Sequence, residues 1–423
     1  MWAVSPSTSE VGEISVDRQA APAFTAAPDR AQARATTARD AALDSLRAIA
    51  MVLVVAHHAV LAYAFYSPES TPRGPQPWLT GIPIVDPHRL TAFDVLALLD
   101  DTYLMTLMFF LSGLFVGPSM ARKGSRSFLR HRAVRLGVPF VAAGLLTPIA
   151  YYPAYLLTSA NPSALEFWQQ WLSIGIWPTG PLWFIGLLLG FDVVVTALYR
   201  YGPGVIERLD RLVSDGRQRP LALFAVLMLA SAVTYVPPRV AFGPDTWIAI
   251  GIVPVQACRV FHYLVYFLAA VAIGDALNSG VLATDGRLVQ RWYLWVLSAV
   301  GLFAAYVALF ARLAPRGHEP LPLGPQLILG VGYVICCGTI SFAVVATFRR
   351  FAQRPIAVLA GLSRNSYGIY LTHYFFVMWL QYVLLPTAIP PAVKAAIVLA
   401  VGLAASWITS AALRRIPAVG RVI

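Results

Sequence analysis

Three ionisable residues near the start of the chain have the spacing of a functional group on one helix. Asp44, Arg47 and His58 lie in an otherwise almost wholly apolar run that ends at Tyr63. At about 100° per residue, Arg47 and His58 return to nearly the same azimuth with Asp44 beside them, and His57 points about a quarter-turn away. A neutral imidazole can take a proton from an attacking hydroxyl, with the Asp and Arg orienting it. The alternative is a structural Asp–Arg pair with a packed histidine.

A second set of residues has the chemistry of a phosphate site. The segment 128–139 contains Arg130, Arg132 and Arg135. A spacing of three places Arg132 and Arg135 on the same face of a helix. Paired guanidinium groups suit phosphate or diphosphate recognition. The alternative is ordinary anchoring charge at a membrane surface, since this loop carries six basic residues.

A third polar set lies in an apolar segment near the C-terminus. Ser366, Tyr370 and His373 fall at positions i, i+4 and i+7, so they share one helical face. Three hydrogen-bonding groups on one face predict the lining of a polar cavity, and the alternative is again a packed histidine. We place His373 opposite His58 in the same cavity, nearer the cytoplasm by roughly 6–10 Å at helical rise.

Two other apolar segments contain polar positions. Ser112 and Gly113 are small residues of the kind that allow close helix contact. Asp192 lies near the middle of an apolar segment that opens with Leu182 and Trp183, and we expect it to pair with a buried cation such as Arg259 or Arg364.

The elements that must position these residues are membrane helices. Of the 423 residues, 58% are hydrophobic and 12% are charged, with a mean hydropathy of +0.66. A soluble protein of this length carries about twice that charged fraction. The sequence therefore predicts an all-α, polytopic integral membrane protein. Its ten apolar segments are 44–64, 97–116, 134–157, 181–200, 220–237, 255–275, 292–311, 325–347, 366–385 and 392–412.

The distribution of positive charge predicts the topology. Both tails and the even-numbered loops hold 23 Lys and Arg residues, and the odd-numbered loops hold six. The positive-inside rule then places both termini in the cytoplasm with ten crossings of a bilayer. The net charge of +12 follows from this topology, so nucleic acid is not indicated as a partner.

The chain divides into three parts by composition. Residues 1–40 are rich in Ala, Ser, Thr and Pro and predict a disordered cytoplasmic tail. Residues 41–415 form the ten-helix membrane domain, and 416–423 form a short cytoplasmic tail. Trp168, Trp171 and Trp177 predict an interfacial amphipathic segment with its aromatic belt. Cys258, Cys336 and Cys337 lack metal-ligand spacing, and no metal site is indicated.

Several of these motifs together resemble a known family. Asp44-x-Leu-Arg47 with His58 resembles the signature of the acyltransferase 3 family of bacterial membrane acyltransferases. Three further landmarks follow in the family's order: Phe109-Phe110-Leu111-Ser112-Gly113, Arg132-x-x-Arg135 with Pro139, and Ser366-Tyr367-x-x-Tyr370-Leu371-x-His373. The resemblance covers roughly residues 40–415. Many members carry a glutamate after the Trp of the fourth span, where this chain has Leu188; the Leu182-Trp183-Phe184 form is similar to the branch of glucan biosynthesis protein C, a succinyl transferase.

The resemblance implies a membrane O-acyltransferase of the EC 2.3.1 type in the bacterial inner membrane. It would move an acetyl- or succinyl-class group from cytoplasmic acyl-coenzyme A (acyl-CoA) to a hydroxyl of an extracytoplasmic glycan or glycolipid. The implied catalytic residues are His58, Arg47 and Asp44, and Arg130, Arg132 and Arg135 would hold the phosphates of coenzyme A. Substrate binding is assigned to His373, Tyr370, Ser366, Trp183 and Ser112.

Other functions are compatible with the same sequence. Ten spans with buried charges also suit a proton-coupled secondary transporter, although the sequence has no repeat between its halves. An enzyme-derived sensor or scaffold without turnover is a third alternative. The sequence does not determine the oligomeric state, and a homodimer is compatible with it.

Overall fold

The structure, a computed structural model, describes residues 40–65, 83–175, 177–313 and 321–423. The predicted tail 1–40 lies outside these residues except for Asp40. The helices are α1 (Ala41–Leu61), α2 (Thr91–Gly113), α3 (Val116–Lys123), α4 (Ser125–Arg132), α5 (Val138–Thr158), α6 (Ala164–Ser173), α7 (Trp183–Tyr201), α8 (Pro203–Ser214), α9 (Pro220–Phe242), α10 (Val260–Asp275), α11 (Arg287–Gln290), α12 (Trp292–Leu313), α13 (Leu323–Phe351), α14 (Ala357–Leu384), α15 (Pro391–Leu413) and α16 (Pro417–Gly420). A π-helical segment, Ala133–Gly137, joins α4 to α5.

The predicted all-α membrane fold is confirmed. Among the described residues, eight helical stretches are long and apolar enough to cross a membrane. They correspond to eight of the ten predicted spans. The sixth predicted span corresponds to α10, a shorter apolar helix of 16 residues, and the ninth to α14, which has 28 residues and more polar side chains. The ten-crossing topology stays a prediction at these two helices.

A small hairpin was not predicted. Strands β1 (Trp247–Ile250) and β2 (Val253–Gln256) pair antiparallel just before α10. The sixth apolar segment therefore begins its helix at Val260, and the predicted start at residue 255 is wrong. Gly251 supplies the positive φ of 63° at the turn. The hairpin packs against α7 at Gly186, where an added Cβ would lie 2.5 Å from Val253 Cγ2.

Helix α5 contains two prolines in its interior, and tryptophan side chains donate hydrogen bonds to the carbonyls that these prolines leave unbonded. A proline has no N–H for the carbonyl four residues before it, so Pro148 frees Gly144 and Pro153 frees Ile149. The Trp177 indole donates to Gly144 O at 2.7 Å, and the Trp379 indole donates to Ile149 O at 3.0 Å. Inside an apolar bundle these bonds replace the ones that water would make.

The interpretation of the three tryptophans near α6 as a membrane-interface belt is therefore wrong for two of them. Trp177 bonds to the α5 backbone, and Trp171 is only 2% exposed. Trp171 packs with Tyr151 and Phe167 in an aromatic cluster. Trp168 is 44% exposed, as a residue at an interface would be. The aromatic pattern indicated the environment, but it could not tell a lipid-facing indole from one that pairs with a proline-freed carbonyl.

Two buried apolar clusters form the core, and α1, α2 and α10 contribute to both. One cluster also contains residues of α9, α12 and α13; the other contains residues of α7, α14 and α15. Helices α2 and α10 approach closely because Gly113 has no side chain: an added Cβ would lie 2.5 Å from Phe267 O. Gly113 therefore acts as the packing residue that its size predicted.

Buried ion pairs tie the ends of the helices together. At one end of α1, Asp40 caps the helix by accepting from Ala42 N and Leu43 N at 3.1 Å, and it also pairs with Arg349 of α13. Arg349 is 3% exposed and donates to Leu282 O at 2.8 Å. One side chain thus fixes the start of α1 to the end of α13.

A second buried pair fixes the other end of α1. Lys394 on α15 donates to Asp86 at 2.7 Å, and both side chains are almost completely buried. The Asp86 backbone N–H donates to Ala62 O, directly after α1. Lys394 was counted with the loop charges in the topology argument, and the structure places it inside the bundle.

We expect Lys394→Met to lower the thermal stability of the purified protein in detergent. The substitution leaves the Asp86 carboxylate buried without its cation, and breaking such a pair costs about 3–5 kcal/mol. Adding Asp86→Leu should restore much of the loss because no uncompensated charge is left. Lys123→Ala, at an exposed position on α3, is the matched control and should have almost no effect. Equal melting temperatures for Lys394→Met and wild type would contradict this account.

Candidate functional site

Two histidines from distant parts of the chain meet between α1 and α14. The ring centroids of His58 and His373 are 5.1 Å apart, and Tyr374 lies 5.4 Å from His58. The two rings therefore lie next to each other, as predicted, and the shared polar cavity stays a prediction. The predicted separation in depth is wrong at the rings, because roughly 6–10 Å of helical rise does not fit within this distance.

Backbone hydrogen bonds set the tautomers of both imidazoles. His58 Nδ1 lies 2.8 Å from Val54 O, and His373 Nδ1 lies 2.7 Å from Tyr370 O. A carbonyl oxygen only accepts, so each Nδ1 carries the hydrogen. Each neutral ring then presents a lone pair on Nε2. His58 is half-buried, whereas His373 is fully buried.

His57 is also part of this region. It points away from the His58 face, as predicted, but its ring centroid is only 5.4 Å from that of His58. Its Nδ1 lies 3.8 Å from a carboxylate oxygen of Asp100 on α2. The sequence argument set His57 aside on azimuth alone and did not consider which helix would pack against that side of α1.

The acid next to Asp100 has a different environment. Asp101 receives two hydrogen bonds from the guanidinium of Arg259, at 2.7 and 2.6 Å. The prediction that Arg259 or Arg364 pairs with Asp192 is therefore wrong. Arg259 pairs with Asp101, and Arg364 is exposed.

The partner of Asp192 is Arg132, whose Nε lies 3.3 Å from the Asp192 carboxylate. Asp192 is completely buried on α7, so it holds the end of α4 against α7. The π-helical segment starts at the next residue, and its wider turn changes the azimuth of the residues after it. Arg130 and Arg135 are exposed. Arg132 and Arg135 thus have different environments, and the predicted matched pair is wrong in this respect.

Asp44 and Arg47 form the pair that their spacing predicted, at 3.6 Å. The Arg47 guanidinium also lies 4.0 Å from the ring centroid of Phe115. Eleven residues of helix separate Arg47 from His58, or about 16 Å. Asp44, Arg47 and His58 share α1, but the Asp44–Arg47 pair does not form a cluster with the His58 imidazole.

The remaining predicted residues lie around α14 and its neighbours. The Tyr370 hydroxyl donates to Pro181 O, which ties α14 to the turn before α7. Ser366 donates to Ser363 O at 2.9 Å, within its own helix. The Ser112 hydroxyl donates to Met108 O at 2.8 Å, also within its own helix. Trp183 stacks on Tyr263 with centroids 5.9 Å apart.

Comparison with known proteins gives one match. The model of a family described as an acyltransferase domain, acyltransferase 3, matches residues 40–411. The chain belongs to the acyltransferase 3 family. Comparisons with curated proteins and with solved structures return no match. Membership shows a membrane acyltransferase in general, and the match covers all the helices from α1 to most of α15.

Sequence reasoning did not identify two residues of this histidine region. Tyr374 follows His373 directly and contacts His58, but it lies off the predicted stripe. Asp100 lies beside His57 and is not among the predicted site residues. The available signal was the Asp100–Asp101 doublet, since two adjacent acids in one membrane span point in different directions and require different partners.

The Arg132–Asp192 contact makes a prediction about folding of the acyltransferase 3 domain. Arg132→Ala should destabilise the protein by about 3 kcal/mol because it leaves the Asp192 carboxylate buried and unpaired. Arg135→Ala should leave stability almost unchanged because Arg135 is exposed. Thermal unfolding of both variants in detergent makes the comparison. Identical losses would show that the Asp192 contact is not what holds α4 to α7.

Proposed function

We propose that the chain is a membrane O-acyltransferase of the EC 2.3.1 type that takes an acetyl- or succinyl-class group from acyl-CoA. The acceptor is a hydroxyl of an extracytoplasmic glycan or glycolipid. The observation that carries the proposal is the half-buried His58, whose Nδ1–H is bound to the Val54 carbonyl and whose Nε2 lone pair is thereby available. A fixed neutral tautomer is what a general base for a hydroxyl requires.

The reaction can be written with these groups. The acceptor hydroxyl oxygen attacks the thioester carbonyl carbon while His58 Nε2 takes the hydroxyl proton. The tetrahedral intermediate collapses, the carbon–sulfur bond breaks, and the coenzyme A sulfur leaves with the proton returned by His58. The products are the acyl ester and free coenzyme A. His373, fully buried 5.1 Å away, positions the donor and does not act as the base, because only the half-buried ring gives a hydroxyl access.

The basic segment around the π-helix supplies the donor site in this proposal. Arg130 and Arg135 are exposed at the helix ends and are available for the phosphates of coenzyme A. Arg132 has a second role because it also forms the ion pair with Asp192.

The finer assignments follow from the sequence resemblance. We propose the glucan biosynthesis protein C-like branch, which favours a succinyl-class donor and a glucan-type acceptor. We also propose the bacterial inner membrane, with both termini in the cytoplasm by the charge distribution. Asp44 and Arg47 support the cytoplasmic half of α1, and Ser366, Tyr370, Trp183 and Ser112 line the substrate path.

Two measurements test the proposal as a whole. Purified protein is given acyl-CoA with and without a carbohydrate acceptor, and free coenzyme A is measured. In parallel, mass spectrometry compares acylation of surface glycans between wild type and a deletion strain. Acceptor-dependent coenzyme A release and loss of glycan acylation are expected. An unchanged glycan and no coenzyme A release, together with uptake of a solute by vesicles containing the protein, would favour the transporter alternative.

We expect His58→Gln to abolish acyl transfer and His373→Gln to leave measurable activity. Glutamine keeps a donor and an acceptor but cannot accept the proton near pH 7. The measurement is the turnover rate of variants with wild-type thermal stability, with the exposed His131→Gln as the control. Equal loss in the two variants would show that both imidazoles take part in the proton transfer.

We expect Arg135→Ala to raise the apparent KM for acyl-CoA and to leave that for the acceptor unchanged. Loss of a charge-assisted phosphate contact costs about 1.5–3 kcal/mol, or roughly a tenfold to hundredfold change. Arg122→Ala, at an exposed position on α3, is the matched control. If both arginines had the same small effect on both substrates, the segment would be an anchor for membrane lipids and not a donor site.

A further inference from the structure

Several buried polar atoms around His58 have no hydrogen-bond partner among the described residues. They are Nδ1 of His57, both carboxylate oxygens of Asp100 and Nε2 of His373. Burying such groups without partners is unfavourable, and native proteins rarely leave them so. Such atoms also occur elsewhere in the bundle, and both Asp192 oxygens are among them although Asp192 has an ion pair with Arg132. The histidine region differs because its acid, Asp100, has only the His57 imidazole as an ion-pair partner among the described residues. This difference indicates a place where a ligand supplies the missing partner.

Two adjacent acids, Asp100 and Asp101, differ in the contacts that their side chains make. Asp101 makes two short hydrogen bonds to Arg259, which accounts for its presence in the bundle. The Asp100 side chain is 1% exposed, and its nearest basic atom is His57 Nδ1 at 3.8 Å, too far for a hydrogen bond. The hydrogen bonds to Arg259 therefore explain why Asp101 is tolerated in the bundle, and no comparable contact explains the burial of Asp100.

We infer that Asp100 and His57 form a hydroxyl-binding subsite beside His58 that holds a polyhydroxyl ligand of the carbohydrate class. The Nδ1 atom of His57 and the Asp100 carboxylate oxygen are 3.8 Å apart, so one hydroxyl oxygen to the side of this pair can lie at ordinary hydrogen-bond distance from both atoms. That hydroxyl accepts from the His57 N–H and donates to the Asp100 carboxylate. Identifying the ligand as the acyl acceptor rests on the proposed function, whereas the subsite itself does not.

The chemistry of the group favours a polyol over other ligands. The Asp100 carboxylate and the Nε2 atom of His58 are both acceptors, so the matching ligand offers at least two O–H donors. A phosphate or carboxylate offers none and would meet the Asp100 charge. Within the described ranges, no three His, Cys, Asp or Glu side chains are arranged to hold a metal ion.

The rings of His57 and His58 are close enough for one ligand to contact both. Their centroids are 5.4 Å apart. In this proposal, a hydroxyl held by Asp100 and His57 places another hydroxyl of the same ligand next to the His58 ring. Asp100 and His57 thus position the acceptor, and His58 takes the proton from the neighbouring hydroxyl.

The first test measures stability and needs no activity. We compare thermal unfolding of Asp100→Leu and Asp100→Asn with that of Asp101→Asn, in full-length protein in detergent. If Asp100 is held for ligand binding, removing its buried charge should raise the melting temperature, by roughly 2 °C or more for Asp100→Leu. Asp101→Asn should lower the melting temperature because it weakens the pairing of the buried Arg259. A fall in both Asp100 variants equal to that of Asp101→Asn would assign Asp100 a structural role and overturn the inference.

The second test uses acceptor analogues. Methyl glucoside and its four monodeoxy forms, at the 2, 3, 4 and 6 positions, serve as acceptors for wild type, Asp100→Asn and His57→Gln. We expect each variant to raise the acceptor KM at least about tenfold while the KM for acyl-CoA stays unchanged. Wild type should discriminate strongly against one deoxy analogue, and the two variants should lose that discrimination.

The results of these tests distinguish a failure of the proposed subsite from a failure of the proposed function. Unchanged acceptor KM values and unchanged discrimination in both variants would overturn the subsite. Wild-type protein that releases no coenzyme A with any acceptor would overturn the proposed function instead. In that case the stability comparison of Asp100 with Asp101 still decides whether Asp100 is kept in the bundle at the expense of stability.

Discussion

A charge inside an apolar bundle is tolerated when an opposite charge meets it, and this constraint organises the structure. Four pairs satisfy it: Arg349 with Asp40, Lys394 with Asp86, Arg259 with Asp101, and Arg132 with Asp192. Each joins segments that are far apart in sequence. Since an unpaired partner would be strongly destabilising, these contacts fix which helices are neighbours. The apolar clusters then fill the space between them.

The histidine region follows a different rule. Both imidazoles of the His58–His373 pair are held by carbonyls of their own helices, at positions three and four residues earlier. Local backbone bonds therefore orient the rings without using a second side chain. The rest of the region keeps unpaired polar atoms, and Asp100 is the clearest example.

Much of the frame could be predicted from the sequence. Hydropathy located the helices because each membrane span must satisfy its own backbone bonds. Spacing along one helix identified the Asp44–Arg47 pair, and the polar face of Ser366, Tyr370 and His373 led us to place His373 next to His58. These inferences concern a single helix or a known family pattern, where periodicity is sufficient.

The errors concern relations between helices. The predicted partner of Asp192 was Arg259 or Arg364, but the choice among cations depends on which helices pack together, and one sequence does not contain that information. The depth of His373 was estimated from residue counts, which ignore where each helix starts relative to its neighbour. The π-helical segment at Ala133–Gly137 altered the relation of Arg132 to Arg135, and no residue type in that segment announces it. The hairpin before α10 could not be predicted either, because a short apolar run does not distinguish a strand from a helix.

The short length of α10 has a consequence for the chain that continues from it. Its 16 residues extend for about 24 Å, against a hydrocarbon core of about 30 Å. The chain before α10 is the hairpin, which packs against α7 at Gly186. At membrane depth, such a non-helical segment must satisfy its backbone polar groups by other means than a helix does. The pairing of the two strands, from Trp247 opposite Gln256 to Ile250 opposite Val253, meets part of that requirement.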